Sequence, residues 1–280
     1  MVSIEAGILY VVATPIGNRG DMSPRAIETL KGVDRIAAED TRRSTPLLRD
    51  FGIDTPLIPF HEHNEWRLGP ELIEKIVSGE SVALISDAGT PLVSDPGYHL
   101  TRAALEAGLR VVPIPGPSAP IAGLSVAGLP TDRFLFVGFL PPKPGQRSNE
   151  LERLREWTAT LVFFEAPHRI EAALADMARV LGGERRATLC RELTKTFETV
   201  HHNSLAGLCD FVGADPNQRR GEFVLVVEGA PAKSGELDEE VERIATILAD
   251  ELPVKQAAAL TAKITGAKKN AVYQFLVASG

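Results

Sequence analysis

The first 115 residues alternate short apolar runs with stretches in which apolar positions recur every three or four residues. This alternation predicts strand-helix-strand units, and continuous apolar runs are typical of parallel strands buried on both faces. Pro59 places the third run near a sheet edge. The pattern therefore predicts a parallel sheet with helices on both faces. Its strands are expected at 8–13, 35–38, 57–60, 82–85 and 109–114.

Two pairs of a hydroxyl residue and a proline predict where helices begin in this half of the chain. Ser23-Pro24 and Thr45-Pro46 each combine an N-cap residue with proline at the first helical position. Glycine ends both predicted helices, at Gly32 and Gly52. Further helices are predicted around 72–77 and 98–107.

Beyond Pro115-Gly116-Pro117 the apolar runs lie farther apart, so some strands are expected to pair antiparallel. A linker at 231–235 precedes three helical segments, and the last two meet at Gly266 as in a helix-turn-helix. We expect α/β domains at 1–115 and 116–232 and a helical extension at 233–280. The second domain carries strands at 134–137, 160–164, 188–193 and 223–227 and helices around 151 and from 170 to 181.

Composition narrows the class of protein. The 280 residues are 44% hydrophobic and 24% charged, which is typical of a soluble globular protein. No apolar run approaches the ~20 residues that span a bilayer, and no signal peptide is recognisable, so we expect a cytoplasmic protein without membrane contact. Two cysteines are too few for a disulfide framework. Neither His61-Glu62-His63 nor His201-His202 contains a helical i, i+4 ligand pair, and we expect no metal site.

The charges are distributed unevenly. The net charge of −7 argues against nonspecific nucleic-acid binding by the whole surface, but not against a local basic patch. Residues 236–251 carry seven acids, whereas 252–280 carry four lysines and no acid. Lys268 and Lys269 belong to this basic stretch. This basic stretch is either a solvated helix face or an RNA contact, and both interpretations stay open.

Small, turn-forming residues follow two successive strands. Residues 86–97 read S-D-A-G-T-P-L-V-S-D-P-G, and 115–119 read P-G-P-S-A. Loops at the carboxyl ends of parallel strands form the crevice in which ligands bind. The first strand ends in T-P-I-G-N, and no G-x-G-x-x-G or P-loop occurs, which disfavours dinucleotides and nucleoside triphosphates. A nucleoside-like ligand without pyrophosphate fits better, and S-adenosylmethionine is such a molecule.

Three polar clusters carry candidate chemistry, each with a structural alternative. Glu165, His168 and Arg169 follow a strand in the run F-F-E-A-P-H-R; Glu165 is either a cap or a reactive group. The run 191–195, R-E-L-T-K, also follows a strand, and it is either a solvated charge run or part of a site. Arg42-Arg43 forms either surface salt bridges or phosphate contacts.

These motifs, in this order, resemble the tetrapyrrole-methylase superfamily. Within it they are more similar to the ribosomal branch, the cytidine 2′-O-methyltransferases of 16S rRNA, because cobalamin and sirohaem methylases carry G-D-P in the loop at 86–97. The resemblance covers about residues 7–230, and the terminal helices look like that branch's helix-turn-helix extension. Arg19 departs from it, since an apolar residue is more usual there. The motifs are T-P-I-G-N, A-E-D-T-R, S-D-A-G-T-P-L-V-S-D-P-G, P-G-P-S-A, E-A-P-H-R, R-E-L-T-K and G-E-F.

The resemblance implies a two-domain α/β enzyme, with a parallel-sheet first domain and a mixed-sheet second domain, that acts as a homodimer on 16S rRNA of the small ribosomal subunit. S-adenosylmethionine is expected between the domains. The residues matching the family's cofactor loops are Pro15, Asp87, Ala88, Gly89, Thr90, Val93, Ser118, Ala119 and Phe164.

The expected reaction is methyl transfer to a ribose 2′-hydroxyl, for which alignment and a positioned base supply the acceleration. We predict Glu165 or Lys195 as the base, with His168 third. A tetrapyrrole methylase and a catalytically silent RNA-binding protein are the rival hypotheses. RNA phosphates are expected to contact Arg42, Arg43, Arg169, Arg191, Lys268 and Lys269.

Overall fold

The computed structural model describes residues 4–231, 237 and 239–279. It divides into two compact units, Met1–Gly229 and Ala230–Gly280. Both sheets lie in the first unit. The boundary expected at 115/116 falls between the two sheets, and its role as a domain boundary stays a prediction. Apart from Pro231, the predicted linker lies outside the described residues. No helix among the described residues has the length and apolar character to cross a membrane.

The sheet of the first half is parallel throughout, as predicted. Within 4–114 its order is β3-β2-β4-β1-β5, and the third strand, which contains Pro59, lies at an edge. Leu30 and Ile36 belong to the core on one face, and Leu72 and Leu84 to the core on the other. The strands are β1 (Ile8–Val12), β2 (Arg35–Ala38), β3 (Leu57–Pro59), β4 (Val82–Ile85) and β5 (Arg110–Ile114).

The helices of this half confirm the Ser23-Pro24 start but not the one at Thr45-Pro46. The second helix already begins at Thr41, because the Asp40 carboxylate accepts a hydrogen bond from the backbone N–H of Arg42 and caps it. It then runs through Pro46 and forgoes one backbone hydrogen bond there. The helices are α1 (Pro24–Gly32), α2 (Thr41–Asp50), α3 (Glu65–Val77) and α4 (Tyr98–Glu106).

The second sheet is mixed, which confirms that expectation. Its order is β6-β7-β10-β8-β9; β6 and β7 pair parallel, and the remaining neighbours pair antiparallel. The sequence did not predict β9, because T-V-H-H-N-S is too polar to resemble a core strand; it lies at the sheet edge. The strands are β6 (Phe134–Phe139), β7 (Thr160–Glu165), β8 (Arg186–Arg191), β9 (Thr199–Ser204) and β10 (Phe223–Val227).

Helices flank this sheet on both faces. One face packs against a core of leucines together with Phe163 and Met177, and the other against a smaller cluster around Val224 and Val226. The first and last of these helices were not predicted. They are α5 (Ala119–Val126), α6 (Pro144–Leu154), α7 (Ile170–Leu181) and α8 (Leu205–Ala214).

The second unit is helical, as the sequence predicted. Its helices pack on small residues, since Ala245, Ala257 and Ala258 are fully buried beside Val272. Gly266 ends the middle helix with φ +76°, a left-handed conformation that glycine adopts without steric cost. The elements are α9 (Glu239–Glu251), α10 (Val254–Thr265) and α11 (Lys269–Ser279).

We predict opposite effects on stability for two glycine substitutions. Gly97 has φ +120°, and an added Cβ would lie 2.5 Å from Leu84 Cδ2, whereas a Cβ on Gly69 inside α3 meets nothing within 4 Å. Gly97→Ala should lower the free energy of unfolding by about 1–3 kcal/mol. Gly69→Ala should leave it unchanged or raise it by about 0.5–1 kcal/mol. Urea unfolding of both variants measures this, and equal losses would contradict it.

Candidate active site

The loops after β1, β4 and β5 are hydrogen-bonded to one another. Thr14 N–H donates to Gly89 O at 2.8 Å, and Gly89 N–H donates back to Thr14 O at 3.0 Å. The Thr90 hydroxyl donates to Pro117 O at 3.0 Å. Gly89 has φ +81°, so a side chain at this position would be strained. The loops that the sequence predicted to bind a ligand are therefore joined by hydrogen bonds into one continuous rim.

A cavity of about 440 Å³ opens on this rim, a size typical of small-molecule sites. Both sheets supply its walls. The loop at 87–95 and the start of α5 line one side, and the ends of β7 and β8 and the start of β10 line the other. Phe164, Cys190 and Val224 provide an apolar surface there, and burial raises the pKa of the Cys190 thiol to about 12, so it stays neutral.

Most of the predicted cofactor residues meet in this cavity. Pro15 is the exception, because it is buried and its neighbour Ile16 lines the wall instead. Of the predicted catalytic and RNA-contacting residues, Glu165 and Arg43 line the cavity as well. The cofactor residues on the walls are Asp87, Ala88, Gly89, Thr90, Val93, Ser118, Ala119 and Phe164.

Sequence reasoning missed three carboxylates of the cavity, Glu39, Asp95 and Glu222. Burial, together with the nearby charges of Glu39 and Asp87, raises the pKa of Asp95 to about 6. Burial also raises the pKa of Glu39, and the charge of Asp87 adds to the effect. Glu39 directly follows β2, and Asp95 lies in the loop at 86–97. Their positions in the sequence could therefore have identified them as residues of the ligand site. A wall of crowded carboxylates favours a ligand that carries positive charge.

Glu165 ends β7 inside the cavity with a side chain that is 0% exposed. Its Oε1 accepts a hydrogen bond from Ala166 N–H at 2.8 Å and lies 3.1 Å from Arg169 Nε. Burial raises its pKa, although the charges of Arg169 and Arg147 oppose the shift. Arg169 also donates to Leu140 O, so its guanidinium is held in place beside the carboxylate.

Lys195 and His168 do not line the cavity. The ammonium of Lys195 lies between two carboxylates, 2.9 Å from Glu192 Oε1 and 2.7 Å from Glu222 Oε2. Burial lowers the pKa of Lys195, but these partners outweigh it, and the pKa lies above its usual value. Its side chain packs over Gly17, where a Cβ would lie within 2.4 Å of Lys195 Cγ. His168 is exposed just before α7.

The predicted arginines differ in their exposure. The side chains of Arg42 and Arg43 are 88% and 74% exposed, and they pair with Asp40 and Asp87. Arg191 is only 8% exposed, contrary to the expectation of a phosphate contact. Its guanidinium donates to Gln218 and to backbone and hydroxyl oxygens near the end of β8, so its hydrogen bonds are made within the protein.

Among the described residues, strained backbone at non-glycine positions occurs in the loop at 86–97 and in the run 191–195. Leu92 and Ser94 have φ of 72° and 67°, and Glu192 and Thr194 have φ of 51° and 68°. Positive φ is unfavourable for side chains with a Cβ and persists where the surroundings impose it, often at ligand sites. The turn at Glu192 also ends β8 at Arg191, two residues earlier than predicted.

The remaining candidates are not among the residues that line the cavity. His61 contacts Asn64, His201 stacks on Phe211, and His202 contacts Thr188. Among the residues that the structure describes, no group of three or more His, Cys, Asp or Glu is arranged to hold a metal ion. In the helical unit, Lys268 and Lys269 are exposed at the start of α11.

Comparison with known proteins assigns the family. A model of Tetrapyrrole (Corrin/Porphyrin) Methylases matches residues 8–209, and a model of the RsmI C-terminal HTH domain matches 235–279. A protein of Pseudomonas aeruginosa named ribosomal RNA small subunit methyltransferase I is 56% identical over 97% of both chains. The chain belongs to the methyltransferase I branch of the tetrapyrrole methylases.

Other members of the branch are nearly as similar. The protein of the same name from Escherichia coli O157:H7 is 50% identical over 96% of this chain and 94% of its own length. The one from Xylella fastidiosa (strain Temecula1) is 53% identical over 95% and 98%. These alignments confirm the resemblance that the motifs indicated.

Solved structures support the tetrapyrrole methylase fold. A uroporphyrin-III-C-methyltransferase from Thermus thermophilus aligns with 79% of this chain and 94% of its own, with a TM-score of 0.57 at 20% identity. A diphthine synthase aligns with 79% of this chain and 89% of its own, with a TM-score of 0.58 at 18% identity. At these identities the likeness concerns the fold alone.

We predict that Asp95→Asn stabilises the protein at neutral pH. The folded state releases the Asp95 proton near pH 6 and the unfolded state near its ordinary 3.8, so stability falls as pH rises between these values. The variant lacks this loss and should melt about 2–4 °C higher than wild type at pH 7.5, with little difference at pH 4.

Thermal melts at the two pH values measure this effect. Asp132→Asn is the matched control, because Asp132 is exposed and distant in sequence from the cavity loops. An Asp95→Asn protein that melts no higher than wild type at pH 7.5 would contradict the prediction.

Proposed function

We propose that this protein transfers a methyl group from S-adenosylmethionine to the 2′-hydroxyl of a cytidine in 16S rRNA of the small ribosomal subunit. The observation that carries the proposal is the cavity of about 440 Å³, bordered by the hydrogen-bonded loops and walled by carboxylates. The names of relatives that are 50–56% identical support a ribosomal RNA substrate. The proposed substrate implies a cytoplasmic location, and the family resemblance favours a homodimer.

The cavity suits S-adenosylmethionine in size and charge. When bound, this cofactor supplies an electrophilic methyl group on a sulfonium. Ala88, Gly89 and Ala119 would contact its nucleoside, because small residues let the backbone approach a ligand closely. Glu39 and Asp95 would face its positive charges, which explains why carboxylates with raised pKa line an otherwise apolar wall.

Glu165 is the proposed base. Its carboxylate would accept the proton of the ribose hydroxyl while that oxygen takes up the methyl group. Burial raises the pKa of Glu165, which makes its carboxylate a stronger base than an exposed one. Arg169 holds the side chain in position. Lys195, paired with two carboxylates, stays protonated and is the less favoured candidate, and the exposed His168 is third.

Exposed cations would bind the RNA backbone. Arg42 and Arg43 stand beside the cavity, and Lys268 and Lys269 lie at the start of α11 in the helical unit. Phosphate contacts of this kind supply affinity that depends on salt and do not read sequence. Arg169, which the sequence also suggested, is occupied by Glu165 and acts as a positioning group in this proposal.

The function is tested by incubating the protein with S-adenosylmethionine and either small ribosomal subunits or uroporphyrinogen. We expect a new 2′-O-methyl group on one cytidine of 16S rRNA, mapped by its resistance to alkaline cleavage, and no methylation of the tetrapyrrole. Methylation of uroporphyrinogen alone would support the rival small-molecule methylase. Absence of cofactor binding by calorimetry would support the silent RNA-binding protein.

We predict that Glu165→Gln lowers kcat about 10²–10⁴-fold, because the amide cannot accept the hydroxyl proton. Cofactor affinity should change little, since the amide keeps a hydrogen-bond acceptor for Ala166 N–H. Single-turnover methylation of small subunits measures the effect. Glu171→Gln is the control, because Glu171 pairs with Arg219 on the exposed part of α7. A Glu165→Gln rate within threefold of wild type would remove Glu165 from the mechanism.

A further inference from the structure

Three exposed rings form a cluster on the first sheet's helices. Trp66 of α3 is 72% exposed, and Tyr98 of α4 is 58% exposed. The ring of His99 contacts both: its centroid lies 4.4 Å from that of Trp66, with the planes tilted by 39°, and 5.2 Å from that of Tyr98, edge to face at 70°. Trp is highly buried on average, so a tryptophan this exposed calls for an explanation. We call these three side chains the aromatic cluster.

A buried carboxylate holds the aromatic cluster in place. Glu65, 5% exposed, accepts hydrogen bonds from the backbone N–H groups of His99 at 3.0 Å and Leu100 at 3.2 Å. These bonds fix the first turn of α4 against the first turn of α3. The rings are therefore arranged before any ligand arrives, which reduces the entropy that binding costs.

The aromatic cluster lies close to the cavity. Tyr98 follows the cavity residue Asp95 by three positions, so their Cα atoms are no more than about 11 Å apart. In the sheet order β3-β2-β4, the end of β2, which Arg42 and Arg43 follow, lies between the ends of β3 and β4, which α3 and α4 with the rings follow. Exposed rings, exposed cations and the cavity thus share the carboxyl edge of one sheet.

We propose that the aromatic cluster receives an unpaired base of the RNA strand next to the nucleotide whose ribose enters the cavity. The inference rests on the proposed function. A ribose can reach the enclosed methyl donor only if its nucleotide leaves the RNA stack, which costs base-stacking energy. Aromatic side chains replace that stacking for neighbouring bases in single-stranded RNA, with little regard to sequence. Arg42 and Arg43 bind the phosphates between the base and the cavity.

The test compares Trp66→Ala with Trp157→Ala in the full chain. Trp157 is 49% exposed but precedes β7, whose opposite end lines the cavity, which makes it a matched control. We expect Trp66→Ala to weaken binding of small subunits and of a single-stranded RNA oligonucleotide about 5- to 100-fold, the loss of one stacked base. Trp66→Phe should restore most of the affinity, Trp157→Ala should bind as wild type, and none should alter cofactor affinity.

Salt dependence and fluorescence separate stacking from a merely structural role. Trp66→Ala should leave the slope of log affinity against log salt unchanged, whereas Arg42→Ala should lower it by about 1. The chain has two tryptophans, so in Trp157→Phe the remaining emission comes from Trp66. RNA should quench that emission, and S-adenosylmethionine alone should not.

The outcomes distinguish this inference from the proposed function. If wild type methylates 16S rRNA while Trp66→Ala binds both RNA probes normally, only the proposal for the aromatic cluster is wrong. A loss of affinity for subunits without loss for the oligonucleotide also overturns it, because the rings would then contact a ribosomal protein. If wild type binds no RNA, both proposals are overturned.

Discussion

The two backbone hydrogen bonds between Thr14 and Gly89 determine the geometry of the candidate site. They join the loops after β1 and β4, neighbouring strands in the middle of the first sheet, and the Thr90 hydroxyl extends the connection to the loop after β5. Backbone groups engaged in this way are not free to move into the cavity. Gly89 permits the arrangement because its φ of +81° suits a residue without a Cβ. The position of the cavity is thus set by the hydrogen bonds among the loops that follow β1, β4 and β5.

The electrostatics of the cavity oppose stability and favour binding of a cation. Asp95 and Glu39 stand partly buried beside Asp87, and burial together with like charge raises the pKa of both. Such crowding destabilises the folded state at neutral pH, a cost that proteins tolerate where function needs the charges. Arg43 pairs with Asp87 at 3.0 Å, and its charge also lowers the pKa of Glu39, but burial outweighs that effect. A positively charged ligand would offset the repulsion among these carboxylates.

The sequence predicted both sheets and most of the cavity's loop residues, because buried strands and turn-forming residues leave clear hydropathy and composition signals. It missed β9, whose polar residues suit an edge strand. It also placed the start of α2 at Thr45-Pro46, whereas the Asp40 cap starts this helix at Thr41. Arg191 and Lys195 were suggested by residue type, but only three-dimensional contacts show that the first is buried and the second is paired with carboxylates. Burial and ion pairing depend on residues that are far away in the sequence, so the residue type alone does not predict them.

The most direct test of the account is a crystal structure of the protein with S-adenosylhomocysteine, the demethylated product of the proposed cofactor. We predict electron density for the adenosyl group in the cavity between the two sheets, against Ala88, Gly89 and Ala119, with the amino group near the carboxylates of Glu39 or Asp95. Density elsewhere on the protein, with this cavity filled only by water, would contradict the account.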